Sequence, residues 1–353
     1  MVARRLINRG QMADIVLFYD GAARLLPTAR PLLGPTWRVE SWYIGDDAAR
    51  LTELLREAVA IVAGKSLQSS TLRGASTNLR LLQMSTAGYE WIDFADVPAG
   101  THICNTSTMD HAIAEFVLAS LLEWQIGLRS VCERMKAEPG SWVPPFGAPG
   151  RPILMPFHSE LGGKTLGIIG YGHIGCQVTK RAAAFNMRIV ATTARPRSPC
   201  PPELAWCEPA SDAALARLLS EADFVVLACA VTSQTEGIIN AERLALMKRD
   251  AVLINIGRGP LCDEQALFDA LKTKSIRGAS LDVWWRYPSA ETPSTSPSHF
   301  PFHELDNVAM TPHFSGWTRE QEERKAAQIA SNLELVARRV MPKFVVRAGS
   351  ECS

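Results

Sequence analysis

Leu166-Gly167-Ile168-Ile169-Gly170-Tyr171-Gly172-His173-Ile174-Gly175 is an apolar run that stops at a GxGxxG turn, and a helical pattern follows it. Between a strand and a helix, the first glycine permits a tight turn and the second lets the backbone approach a pyrophosphate. The third lets helix and strand pack closely. The amides that open the helix, at His173, Ile174 and Gly175, then face the phosphates along with the positive end of the helix dipole. A glycine-rich turn with no ligand has the same letters, so the decision rests on what surrounds it.

Downstream, strand candidates at 166–170, 189–193, 224–230, 252–256, 279–283 and 308–310 alternate with helical patterns at 174–185, 212–222 and 264–272. Strands separated by helices imply βαβ units, and such a series opened by GxGxxG predicts a doubly wound parallel sheet. Upstream, strand candidates at 15–19, 38–43, 60–63, 79–84 and 102–105, with a helix over 47–58, predict a first α/β domain. A single connecting helix is expected over 110–135, then a proline- and glycine-rich wrapping loop over 139–159. The last helix, over 318–339, is expected to pack back on the first domain.

The 353 residues suffice for two domains. A formal net charge of +1 gives no basic excess for nucleic acid. The eight cysteines are scattered without a CxxC pair, which predicts reduced thiols in a cytoplasmic protein and no metal site. The opening segment MVARRLINRGQ is basic but lacks the apolar region of a signal peptide, and Met12 offers a second start. No apolar stretch approaches a membrane span.

NAD-binding folds place an acidic residue at the end of the second strand, about 20 residues past the motif, to hold the ribose hydroxyls. Thr193 stands there, and Arg195 and Arg197 follow. A 2'-phosphate is repelled by a carboxylate and gripped by a guanidinium, so NADP is favoured over NAD. The other reading makes both arginines solvated loop charges in a protein that uses either cofactor.

Three later strand ends carry further chemistry: Asn255-Ile256-Gly257-Arg258-Gly259, Ser280-Leu281-Asp282-Val283-Trp284 and Thr311-Pro312-His313-Phe314-Ser315-Gly316. Singly, Arg258 reads equally as a surface ion pair and His313 as a structural histidine. On neighbouring strand ends of one dinucleotide fold they read as a site.

These segments, with GYGHIG, Asn105-Thr106, Ala114-Glu115-Phe116 and residues 263–271, resemble the D-isomer-specific 2-hydroxyacid dehydrogenases. The resemblance implies a Rossmann-type dinucleotide domain (106–313) inserted in a split, flavodoxin-like substrate domain (1–105 and 314–353). It also implies NAD(P), a small 2-oxo or 2-hydroxy acid such as glyoxylate or hydroxypyruvate, and a homodimer built on the nucleotide domains. Position by position, Arg258 resembles the arginine that clamps the substrate carboxylate and polarises its carbonyl, and His313 the general acid-base. Asp282 matches the residue that contacts the nicotinamide carboxamide. The Ala87-Gly88 turn matches the loop whose amides bind the substrate carboxylate.

One position departs from the family. Tyr287 stands where a glutamate pairs with the histidine. A carboxylate stabilises imidazolium, so its loss should lower the histidine pKa. Tyr287 is therefore read either as a hydrogen-bond partner of His313 or as packing, with Glu291 nearby. Two rivals follow from the missing carboxylate: a formate dehydrogenase-like enzyme, which needs no proton shuttle, and a non-catalytic dinucleotide-binding scaffold.

Overall fold

The computed structural model describes residues 13–137, 157–194, 199–289 and 292–349. The basic opening segment with Met12, residues 139–156 of the proline-rich stretch, Arg195, Arg197 and Glu291 lie outside the described residues. Two compact units divide the chain: one runs to Thr108 and resumes at Thr318, and the other is Met109–Trp317.

The first unit opens with β1 (Asp14–Tyr19), α1 (Leu26–Ala29), β2 (Trp37–Trp42), α2 (Ala48–Glu57), β3 (Ala58–Ala63), β4 (Leu81–Met84) and β5 (His102–Cys104), and its five strands run parallel. β1 (DIVLFY) and β3 (AVAIVA) are near-continuous apolar runs, as strands covered on both faces must be. Asp47 caps α2, its side chain accepting from Ala49 N at 2.9 Å.

The second unit comprises α3 (Asp110–Ile126), α4 (Leu128–Ala137), β6 (Thr165–Ile169), α5 (His173–Ala184), β7 (Arg188–Thr193), β8 (Trp206–Pro209), α6 (Asp212–Glu221), β9 (Phe224–Leu227), α7 (Ala241–Ala245), β10 (Val252–Asn255), α8 (Glu264–Lys272), β11 (Gly278–Leu281) and β12 (Val308–Met310). Its seven-stranded sheet has the order β12-β11-β10-β9-β6-β7-β8, parallel throughout. Apolar clusters cover both faces, one around Leu218, Leu253 and Leu267, the other around Val117, Ile168 and Val178. The strand order reverses between β6 and β9, and there the crevice of a doubly wound sheet opens at the strands' carboxyl ends.

The chain then returns to the first unit through α9 (Arg319–Ala337) and β13 (Val345–Arg347). α9 lays Ala326, Ile329, Leu333 and Val336 in one cluster with Val16 and Phe18 of β1. β13 pairs antiparallel with β5, giving the order β13-β5-β4-β3-β1-β2, whose parallel strands follow the flavodoxin-like order. No helix of the described residues is long and apolar enough to cross a membrane.

Besides the short helices α1 and α7, three elements differ from the sequence reading. The connecting helix is two helices, because Gly127 closes α3 in the left-handed region at φ +67°. β8 adds a strand at the sheet edge, where Pro209 is tolerated because that side needs no donor. β13 is a short strand of Val345, Val346 and Arg347 that only its pairing with β5 reveals.

The carboxyl-terminal segment is fastened by Gly349 N donating to His102 Nδ1 at 3.0 Å, and burial holds the His102 pKa below its ordinary value. Protonating Nδ1 removes that acceptor. The unfolded chain therefore binds the proton first, and stability falls as pH drops below the ordinary histidine value of about 6.5. The melting temperature should fall between about pH 7.5 and about pH 5.5, and His102→Gln should flatten that dependence. Thermal melts across the range check it.

Candidate active site

The glycine turn has the shape of a phosphate cradle. Gly170 adopts φ +103°, and a Cβ there would meet Cys229 N at 2.6 Å, so only glycine fits the turn against the end of β9. A Cβ on Gly175 would meet Gly170 O at 2.9 Å, which keeps α5 tight on the turn. Gly172 is the opposite case, exposed and with nothing within 4 Å of its Cβ position. Gly172 is also the N-cap of α5, and no side chain caps the helix there. An open face beside the amides of His173, Ile174 and Gly175 is what a pyrophosphate requires, so the residues present fit a dinucleotide.

Thr192 O accepts from Gly170 N at 3.0 Å and Tyr171 N at 3.1 Å, sewing the turn to β7. Thr193, buried at 6% exposure, ends that strand and brings no carboxylate.

At the end of β10 the fully buried Asn255 folds the chain back on itself. Its Oδ1 accepts from Gly257 N at 3.1 Å and its Nδ2 donates to Arg258 O at 2.9 Å, which fixes the backbone that carries the guanidinium. Arg258 is half-buried, and its Nη1 donates to Gly257 O at 2.8 Å. Gly259 lies directly on the backbone of Trp284, and a Cβ there would also meet Trp285 N at 2.7 Å. The strand ends of β10 and β11 are thereby pressed together.

Beyond β11 and β12 the remaining groups converge. The Asp282 carboxylate, with no exposed surface, accepts from Thr311 Oγ1 at 2.7 Å, Phe314 N at 2.9 Å and Ser315 N at 3.0 Å. His313 sits between these anchors in the left-handed region at φ +60°, a conformation uncommon for a residue with a side chain. Its Nδ1 lies 2.8 Å from the Tyr287 hydroxyl, which also accepts from Trp284 N at 3.2 Å. Burial raises the Tyr287 pKa most; the hydrogen bond from Trp284 N lowers it, and through space Arg258 lowers it and Asp282 raises it. The phenol therefore stays neutral and lies within the fields of both charges.

Ala87 and Gly88 belong to the first unit, in the turn after β4. Asn105 Nδ2 donates to Ala87 O at 2.6 Å and Thr86 Oγ1 donates to Gly88 O at 2.8 Å, so side chains of that unit hold the turn. Trp284 and Trp285 are core residues: Trp284 Nε1 donates to Thr311 O at 2.8 Å, and Trp285 stacks on Phe302. The positioning roles of Asn255 and Thr311 escaped the sequence reading. For Asn255 a signal existed, since an asparagine at a strand end commonly bonds the amide two residues on, here that of Gly257. Among the described residues no group of three or more His, Cys, Asp or Glu could hold a metal ion.

Residues 146–315 match the family model described as D-isomer specific 2-hydroxyacid dehydrogenase, NAD binding domain. The chain is 33% identical over 327 residues to a glyoxylate reductase of Pyrococcus furiosus, covering 89% of this chain and 90% of that protein. The chain belongs to the D-isomer-specific 2-hydroxyacid dehydrogenase family. It is accordingly an NAD(P)-dependent oxidoreductase. Another relative of this dehydrogenase is the glyoxylate/hydroxypyruvate reductase B of Yersinia pestis, 31% identical over 82% of this chain and 83% of that protein. A 2-hydroxyacid dehydrogenase from Ketogulonicigenium vulgare shares the fold, with TM-score 0.76 and 24% identity over 96% of this chain and 100% of that one.

Two of the motif glycines of the dehydrogenase, Gly170 and Gly172, should separate experimentally. Gly172→Ala should leave the melting temperature within about 2 °C, because its Cβ meets nothing, yet raise the Kd for the dinucleotide at least about tenfold. Gly170→Ala should instead destabilise the fold by about 2 kcal/mol or more. Thermal melts paired with cofactor titration distinguish the two effects.

Proposed function

We propose that this dehydrogenase reduces a small 2-oxo acid of the glyoxylate or hydroxypyruvate class with NADPH, in a site carried by Arg258, His313 and Tyr287. The observation that carries the reading is the 2.8 Å contact between the Tyr287 hydroxyl and His313 Nδ1, on a phenol that lies in the field of Arg258. The dinucleotide, when bound, supplies hydride to the carbonyl carbon. Arg258 grips the substrate carboxylate and polarises the carbonyl, for which a planar, permanently charged fork is suited. With Nδ1 held by Tyr287, Nε2 of His313 is the nitrogen that addresses the carbonyl oxygen. It donates a proton as alkoxide character develops there, and takes it back in the oxidative direction.

The first unit serves as substrate domain, with the Ala87-Gly88 turn presenting amides to the carboxylate. The second is the dinucleotide domain, with Asp282 contacting the nicotinamide carboxamide. Thr193 favours NADP in this reading, with Arg195 and Arg197 as the phosphate grip. The seven described cysteines are free, which fits a cytoplasmic location. A homodimer through the second unit fits α4, none of whose residues is buried and where Leu128 is 68% exposed.

Oxidation of NADPH against a panel of 2-oxo acids tests the activity, and formate-dependent reduction of NAD tests the formate rival. The pH profile tests the residues. A carboxylate only accepts and so favours imidazolium, whereas a phenol both donates and accepts and favours neither form strongly. Reduction needs imidazolium, so its rate falls as pH rises through the histidine pKa. Tyr287→Glu should move that falling limb upward by about one pH unit. His313→Gln should lower kcat by about 100-fold or more. Arg195→Ala and Arg197→Ala should each reduce the NADPH to NADH preference about tenfold. Steady-state kinetics read all three.

A further inference from the structure

Asp282 does more in this molecule than border a cofactor. Its carboxylate is fully buried and receives three donors from the chain around His313: the Thr311 hydroxyl and the Phe314 amide on Oδ1, and the Ser315 amide on Oδ2. The two amides directly follow His313, whose φ of +60° turns them toward one point. Consecutive amides arranged this way form an anion-binding nest, and here the anion is a side chain of the neighbouring strand end.

We infer that Asp282 is a positioning residue: its carboxylate fills the nest made by Phe314 N and Ser315 N, and so holds His313 in the left-handed turn that aims its imidazole. The mechanism is geometric. A residue in this backbone region is kept there only when its surroundings over-determine it, and Asp282 supplies that determination. All three partners donate, so the group must accept on both oxygens. An amide of the same shape fails, because its NH2 would face a backbone N–H in either orientation. Losing the nest would release His313 from Tyr287 as well, since the 2.8 Å contact depends on where the turn places the ring.

The inference rests on the proposed reductase reading for its kinetic arm and stands apart from it in its spectroscopic arm. In Asp282→Asn, kcat at saturating NADPH should fall about 100-fold, as a displaced catalytic group does. The Kd for NADPH, read by its fluorescence without substrate, should rise by less than about tenfold, as the loss of one cofactor contact allows, while kcat carries the larger loss. The His313 imidazole resonance, assigned by its loss in His313→Gln, should shift and change its titration midpoint. Thr311→Val, which removes one donor and spares the two amides, should show a smaller loss of the same kind if Asp282→Asn folds poorly. Thr311→Ser should restore kcat to the wild-type level. A Kd raised at least about tenfold with kcat retained and the resonance unmoved would overturn the inference in favour of a cofactor contact alone. If the wild-type protein reduces no 2-oxo acid, the functional reading fails, and the imidazole resonance alone still decides whether Asp282 holds His313.

Discussion

The close approach of the Gly170 turn to the end of β9 is the constraint on which the second unit depends. β6 pairs with β9 on one side and β7 on the other, and the strand order reverses there. A side chain at Gly170 would run into Cys229 N at 2.6 Å, so the turn exists only with glycine. That turn in turn sets the start of α5 and leaves Gly172 open. The cradle-like shape of the turn is thus a by-product of how tightly two parallel strands meet at their carboxyl ends. Because all seven strands run parallel, the ends of β10, β11 and β12 are delivered to the same edge.

Much of this was legible in the chain. Buried parallel strands are near-continuous apolar runs, and β9 (FVVL) and β10 (VLIN) stand out because water reaches neither face. Arg258 is conspicuous for the same reason, since a charge closely follows such a run, and His313 for following a proline just past the last strand. What the chain concealed depends on partners distant in sequence. β8 is Trp206-Cys207-Glu208-Pro209, and only its pairing with β7 makes it a strand. The split between α3 and α4 turns on one backbone angle at Gly127, which periodicity does not register.

The candidate site is proposed from residue types, and the contacts that support those residues are not visible in the sequence. Asp282 reads as an acidic residue at a strand end, with nothing local to say that its donors lie 29, 32 and 33 residues on. Tyr287 reads as the absence of a glutamate. Its bond to His313 spans 26 residues of loop and strand that bring the two ends together. Positioning contacts of this kind are long-range, so a sequence yields the reacting groups sooner than the scaffold that aims them.

The scaffold also bears on why a phenol can stand beside His313. Asp282 is buried and its charge acts on residue 287, where it opposes ionisation of Tyr287 while Arg258 favours it. A glutamate at 287 would place a second carboxylate in the field of the first, with Arg258 as the countercharge. Neighbouring like charges disfavour each other's ionised form, so such a glutamate would act partly through Arg258 rather than wholly on the histidine. Tyrosine avoids that competition. It keeps a hydrogen-bonding oxygen beside His313, adds no charge to compete for the guanidinium, and leaves the buried Asp282 carboxylate on the backbone of the histidine turn.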